Sequence, residues 1–146
     1  MRLSIMAAAL AAFAAAPAMA ADPDAPSYEN GTVWQYTEVK TVDGHFDDYM
    51  GWLSTSWKAQ EEALKQAGMI KSYKVLMATD PRENEGDLLL VVEYANMAAL
   101  DRSVAEQYAI GKKLFGPLAK SNQEQAARGT IRTIKSNYLL REAVFK

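Results

Sequence analysis

The sequence contains no cysteine. Disulfides, thiolate metal sites, cysteine nucleophiles and lipid anchoring through an N-terminal cysteine are therefore excluded. A single histidine, His45, leaves no room for a histidine-rich metal centre or a pair of catalytic histidines. A dominant charge is also lacking: 16 Lys+Arg stand against 18 Asp+Glu, for a net charge of -2. Without a basic excess to neutralise a phosphate backbone, nucleic acid is not an expected partner. No glycine-rich phosphate loop, G-x-S-x-G, HExxH or EF-hand pattern occurs. The acidic stretch of Asp80, Glu83, Glu85 and Asp87 has no calcium-loop spacing. No metal is expected and no cofactor is implied.

The chain has 146 residues, 49% hydrophobic and 23% charged, which predicts one ordinary globular domain. Residues 1–20, MRLSIMAAALAAFAAAPAMA, read as a signal peptide. Arg2 is the positive n-region, the run from Leu3 to Ala16 is apolar, and Ala18-Met19-Ala20 is a small-x-small cleavage site. The run is too short for a membrane span. Export, to a periplasm or out of the cell, is the implied destination, with no stable membrane anchor after cleavage. Residues 21–31, ADPDAPSYENG, carry two prolines and no periodicity and read as a flexible arm. The domain itself is expected over 32–146.

Thr32 to Lys40 is β-branched and aromatic and predicts a strand. Alternation sets Trp34, Tyr36 and Glu38 on one face and Val33, Gln35, Thr37 and Val39 on the other. Asp43 is a candidate N-cap for a helix from about His45 to Ala67. Its apolar stripe is Phe46, Tyr49, Met50, Leu53, Trp57, Leu64 and Ala67, and Gly68 stops it. Met69 to Thr79 predicts a second strand, Asp80 to Gly86 a hairpin loop, and Asp87 to Tyr94 a central third strand. Asn96 is read as the cap of a second helical region reaching Arg128, interrupted at Gly111 and Gly116-Pro117. Thr130 to Phe145 is the last strand, with an irregularity at Ser136-Asn137. The order β-α-β-β-α-β predicts an α+β, ferredoxin-like domain with helices on one face of an antiparallel sheet. Its usual strand order, 4-1-3-2, sets the strands from Thr32 and Asp87 side by side, read here as parallel.

The stretches VWQYTEVK…GHFDDYMGWL and AGMIKSYKVLMATDPRENEGDLLLVVEYANMAALD resemble the dimeric α+β barrel superfamily, in its NIPSNAP-like and antibiotic-biosynthesis-monooxygenase-like branches. The resemblance covers about Thr32 to Phe145 and rests on element order and texture rather than on a catalytic motif. It implies a homodimer with two sheets packed face to face, and a cavity between sheet and helices. It also implies a range of activities, cofactor-free oxygenases and isomerases among them, so the fold alone does not select a reaction. Independently, a sheet with helices on one side leaves Trp34, Tyr36, Leu89 and Val91 to be covered, which favours self-association.

Three constellations are candidates for chemistry. Glu38 and Glu93 each end a run of apolar residues at i-2 and i-4 near the C-terminus of a central strand. Side by side beside aromatic walls, they would form a catalytic dyad in which burial and like charge raise one pKa. The plainer reading pairs them with Arg132, Lys135 or Arg141. His45, in the first turn of the first helix, is a candidate base, against the reading of an exposed first-turn residue. Haem-binding members of the superfamily carry their axial histidine elsewhere in the fold. Trp34, Tyr36, Tyr49 and Trp52 are candidate walls for a small apolar or aromatic ligand, against plain core and interface packing. Glu61-Glu62 and Lys112-Lys113 read as solvated helix faces. The chain is thus expected to bind or process a small molecule, as a cofactor-independent oxygenase or a proton-transfer enzyme. The alternative is a non-enzymatic dimeric interaction or stress-response module.

Overall fold

The computed structural model describes residues 24–146, so the signal peptide expected over 1–20 lies outside the described residues. Ten segments follow one another: β1 (Tyr28–Thr41), α1 (Phe46–Trp52), a π-helical turn (Leu53–Trp57), α2 (Lys58–Gln66), β2 (Ser72–Met77), β3 (Leu88–Tyr94), a 3-10 turn (Met97–Leu100), α3 (Val104–Phe115), α4 (Leu118–Arg128) and β4 (Arg132–Phe145). The strands form one sheet in the order β2-β3-β1-β4. Every neighbouring pair is antiparallel. The architecture is α+β and compatible with a ferredoxin-like fold.

Two expectations about the strands change. The flexible arm of 21–31 is already strand from Tyr28, because Tyr28, Glu29 and Asn30 pair with Phe145, Val144 and Ala143. The strands from Thr32 and Asp87 are neighbours but antiparallel. The first helix returns the chain so that β2 runs parallel to β1 with a gap between them. The following hairpin then turns β3 into that gap, opposed to both. The irregularity near Ser136 is present as a bulge: Glu38 faces Ser136 while Val39 faces Ile134, which leaves Lys135 unopposed.

The core lies between the first helix and the sheet. Val39, Leu88 and Leu90 from the strands meet Tyr49, Leu53 and Trp57 from the helix. Such side chains each contribute roughly 1.5–3 kcal/mol by leaving water. Gly68 closes the helix in the left-handed region, with φ +69°. His45, rather than Asp43, precedes α1, and no side chain caps that end.

The second helical region is built differently from the expectation. Asn96 makes no side-chain cap. Ser103 does, in a reciprocal box with Glu106 at the start of α3. Gly111 sits inside α3, and only Gly116-Pro117 breaks the helix, with Gly116 at φ +84°. Neither α3 nor α4 buries a residue fully, and Val104, Tyr108 and Leu118 face outward. Among the described residues, no helix is long and apolar enough to cross a membrane.

Candidate functional site

The two faces of the sheet carry different chemistry. The face away from the helices is built in rows across β2-β3-β1-β4: Ser72, Glu93, Trp34, Leu140; then Lys74, Val91, Tyr36, Tyr138; then Leu76, Leu89, Glu38, Ser136. Tyr36 stacks on Tyr138 at 5.4 Å between ring centres and 7° between planes. The Lys74 ammonium sits 4.6 Å above the Trp34 ring. Trp34 and Tyr36 thus wall an apolar surface rather than a pocket, and Leu76, Tyr138 and Leu140 on it are exposed.

Glu38 and Glu93 share this face but do not meet. Glu93 lies opposite Trp34 and Glu38 opposite Leu89, four residues apart along the strands, or roughly 13 Å at the rise of a strand. The dyad fails because the strands that carry them run in opposite directions, which sends their C-terminal ends to opposite edges. Neither carboxyl is raised. The Gly86 N–H (2.6 Å) and the Ser136 hydroxyl (2.8 Å) donate to Glu38 and hold its pKa below the ordinary value. The Ser72 hydroxyl donates to Glu93 at 2.5 Å, with Lys71 at 3.6 Å, and lowers its pKa likewise.

His45 points outward, its side chain 42% exposed, with Nδ1 at 2.8 Å from the Asp48 carboxylate. A general base or axial ligand requires a buried, oriented ring, and this position orients the ring through Asp48 but leaves it in solvent. Tyr49 is fully buried in the core and stacks on Trp52 at 5.6 Å. These two rings pack together and do not line an open cavity.

The helix-facing side holds the group that the sequence reading assigned to solvent. Tyr49, Leu53, Trp57 and Glu61 follow one another at steps of four, and all are buried. In a regular helix each such step drifts by about 40°, which would turn Glu61 away from the sheet. The π-helical turn at Leu53–Trp57 absorbs the drift. Its cause is local: the Thr55 hydroxyl donates to the Gly51 carbonyl at 2.8 Å and the Ser54 hydroxyl to the same carbonyl at 3.0 Å, in competition with the backbone ladder. Glu61 is therefore delivered to the interior, 8% exposed, with its Oε2 buried and unpartnered. Burial alone pushes its pKa up to about 7. Among the described residues no cation offsets the cost, so the neutral acid and the carboxylate are both populated near neutral pH.

Polar groups surround it where a sheet would ordinarily present apolar ones. Burial and the nearby Glu61 charge push the Tyr94 phenol up. The Tyr94 hydroxyl donates to Gln35 at 3.0 Å, and the Gln35 amide donates to Asn137 at 3.3 Å. The Tyr73 hydroxyl donates to Glu62 at 2.6 Å, which pushes its pKa up to about 12. A cavity of about 200 Å³ is lined by Tyr94, Leu64, Ile70, Leu100, Arg102 and others. Leu100 also lines a second cavity of about 490 Å³ with Gln35, Asn137 and Leu139. The two cavities share Leu100, and Tyr94 of the first is hydrogen-bonded to Gln35 of the second; Glu61 lies near Tyr94 without entering either lining. Among the described residues, no group of His, Asp or Glu side chains is arranged to hold a metal ion. Asp87 of the acidic hairpin instead accepts hydrogen bonds from the Thr41 backbone and hydroxyl. Compared with protein-family models, curated proteins and solved structures, the chain matches none.

Proposed function

We propose that this is an exported protein that binds a small, neutral, largely apolar or aromatic molecule and moves a proton on it, with Glu61 as the acid–base group. The buried, unpartnered carboxyl of Glu61, poised near neutrality beside Tyr94, carries this reading. A base whose two protonation states are both populated takes a proton from an acidic C–H or O–H and returns it elsewhere without a large thermodynamic step. Leu64, Ile70 and Leu100 supply apolar walls, and Tyr94, Gln35 and Asn137 supply hydrogen bonds that orient a ligand. Glu61 replaces Glu38, Glu93 and His45 as the proposed base. The same deprotonation would start a cofactor-independent oxygenation of an electron-rich aromatic substrate.

The protein works as a homodimer in this reading, as a dimeric α+β barrel. The apolar face of Trp34, Tyr36, Leu76, Tyr138 and Leu140 supports it, since a monomer would leave Leu76, Tyr138 and Leu140 in water. The same surface favours the second reading, an interaction or stress-response module in which the interface is the functional element. Proton chemistry separates the two. Solvent deuterium exchange into a panel of small aryl ketones and phenols, followed by NMR, is expected with wild-type protein. It should fall by at least 100-fold with Glu61→Gln. Exchange no faster than in buffer across the panel, or exchange unchanged in the variant, removes the enzyme reading and leaves the module.

A further inference from the structure

At the opposite end of the first helix from Glu61 lies a second cluster of charged groups, Arg128 and Arg132, separate from the proton-transfer site. Arg128 ends α4 and Arg132 begins β4. The turn between them is fixed: Ile131 N–H donates to the Arg128 carbonyl (3.1 Å), and the Ile131 carbonyl accepts from Val42 N–H (3.0 Å). The Arg128 guanidinium lies 4.1 Å above the Trp52 ring, and that of Arg132 lies 5.7 Å from the Tyr49 ring. Tyr49 and Trp52 are themselves stacked, so each cation rests against one ring of a shared aromatic platform, and the two are near enough to feel each other's charge.

The cations are not neutralised. None of the ion pairs among the described residues includes Arg128 or Arg132. Glu124, one turn before Arg128, is paired with Lys120 at 3.8 Å. Asp87, which reaches Thr41 opposite Arg132 in the sheet, is spent on the Thr41 backbone and hydroxyl. The Nε atoms of both arginines are buried without a hydrogen-bond partner. Two partly buried guanidiniums that feel each other's charge, with both Nε donors unspent and no carboxylate in an ion pair with either, form an arrangement that costs free energy until an anion arrives.

We propose that Arg128 and Arg132 form a binding site for one compact oxyanion, a carboxylate or a phosphate group, held by both guanidiniums. The Arg128 guanidinium, laid over the Trp52 face, keeps N–H groups free for the paired oxygens of either group, and Arg132 adds a second cation beside it. The platform holds both side chains before binding, so little rotamer freedom is lost. Tyr49 and Glu61 are twelve residues apart, roughly 15–18 Å along the helix, so this site stands apart from the proton-transfer site and does not depend on it.

Calorimetric titration of the whole protein with inorganic phosphate, and separately with benzoate, tests the site. Ionic strength is held constant with sodium chloride, so general screening of the arginines makes no difference. Saturable binding of one anion per chain is expected from at least one of the two ligands, and the better ligand identifies the source chemistry. Arg128→Gln and Arg132→Gln should each weaken it at least tenfold, whereas Lys146→Gln on the far strand end should not. Phosphate or benzoate should also shift the two arginine Nε–H resonances of the wild-type protein, which keeps the test open if a variant fails to fold. Absence of saturable binding by either anion overturns the proposal. So does saturable binding that leaves both Nε–H signals in place or survives the double substitution.

Discussion

Replacing Glu61 by Gln should stabilise the protein, and only above the acidic range. The carboxyl titrates near 4.5 in the unfolded chain and is pushed up to about 7 by burial in the folded one. Its folded-state pKa is raised, so the folded protein holds a proton that the unfolded chain has lost. Stability therefore falls as pH rises from about 4.5 to about 7 and stays low above that. Each pKa unit is worth about 1.4 kcal/mol, so the charged carboxylate costs about 3 kcal/mol at pH 8 and less than about 1 kcal/mol at pH 5. Gln has the size and polarity of the protonated acid and never ionises, so it escapes this cost. Urea denaturation of wild type and Glu61→Gln at pH 5 and pH 8 reads the difference directly. With slopes of about 1–3 kcal/mol/M, the variant's midpoint should lie at least about 1 M higher at pH 8 and close to wild type at pH 5. Equal differences at the two pH values, or a variant less stable at pH 8, would falsify the placement of an uncompensated carboxyl in the interior. The same substitution should abolish proton exchange, so greater stability and lost activity are expected in one variant.

The remaining predictions concern the other face and its edge. Leu140→Arg sets a charge opposite Trp34 in the proposed dimer interface. Losing a buried leucine costs roughly 1.5–3 kcal/mol and burying an unpaired cation more, so dimer affinity should drop by at least about 100-fold in sedimentation; a wild-type monomer, or a variant that still dimerises, refutes the interface. A Cβ added at Gly86 would lie 2.5 Å from Glu38 Cγ and 2.7 Å from the Val39 carbonyl oxygen. Gly86→Ala should therefore destabilise by about 1–3 kcal/mol, and unchanged denaturation would contradict so close an approach. It should also move the Glu38 pKa, read by NMR, back up toward its ordinary value, because the Gly86 N–H is the main cause of its depression. Glu38 contributes stability that is complete above the unfolded pKa and lost as pH falls through the folded one, and the variant should have less of it to lose.

Most of the scaffold was legible in the sequence because periodicity is a local property. The alternation of Trp34, Tyr36 and Glu38 against Val33 and Val39 reads directly as two faces, and the register carries both through. Strand direction is not local, since it depends on how a helix and a hairpin return the chain. That is why Glu38 and Glu93 were legible as residues of one face and not as residues at opposite edges. Glu61 escaped for a related reason. With 3.6 residues per turn, the count from Tyr49 carries it about 120° away, and its sequence neighbour Glu62 makes the pair look like a solvated stripe. The signal was the pair Ser54 and Thr55, whose hydroxyls capture the Gly51 carbonyl and add a residue to one turn. Arg128 and Arg132 sit on different elements across a tight turn, and no spacing rule brings them over Trp52 and Tyr49.

The π-helical turn also sets how this helix tolerates the loss of a codon. It holds one residue more than a regular turn needs, so the chain between Tyr49 and Glu61 spans about three turns with a residue in reserve. Deleting exposed Ser54 would let the segment relax to a regular helix, with the faces of Tyr49 and Glu61 still aligned. Deleting exposed Lys58, only four positions on, could draw on the same slack only by turning Trp57 about 80° off the face it shares with Tyr49 and Glu61. Length variation along this helix is therefore forgiven at one turn and punished at the next.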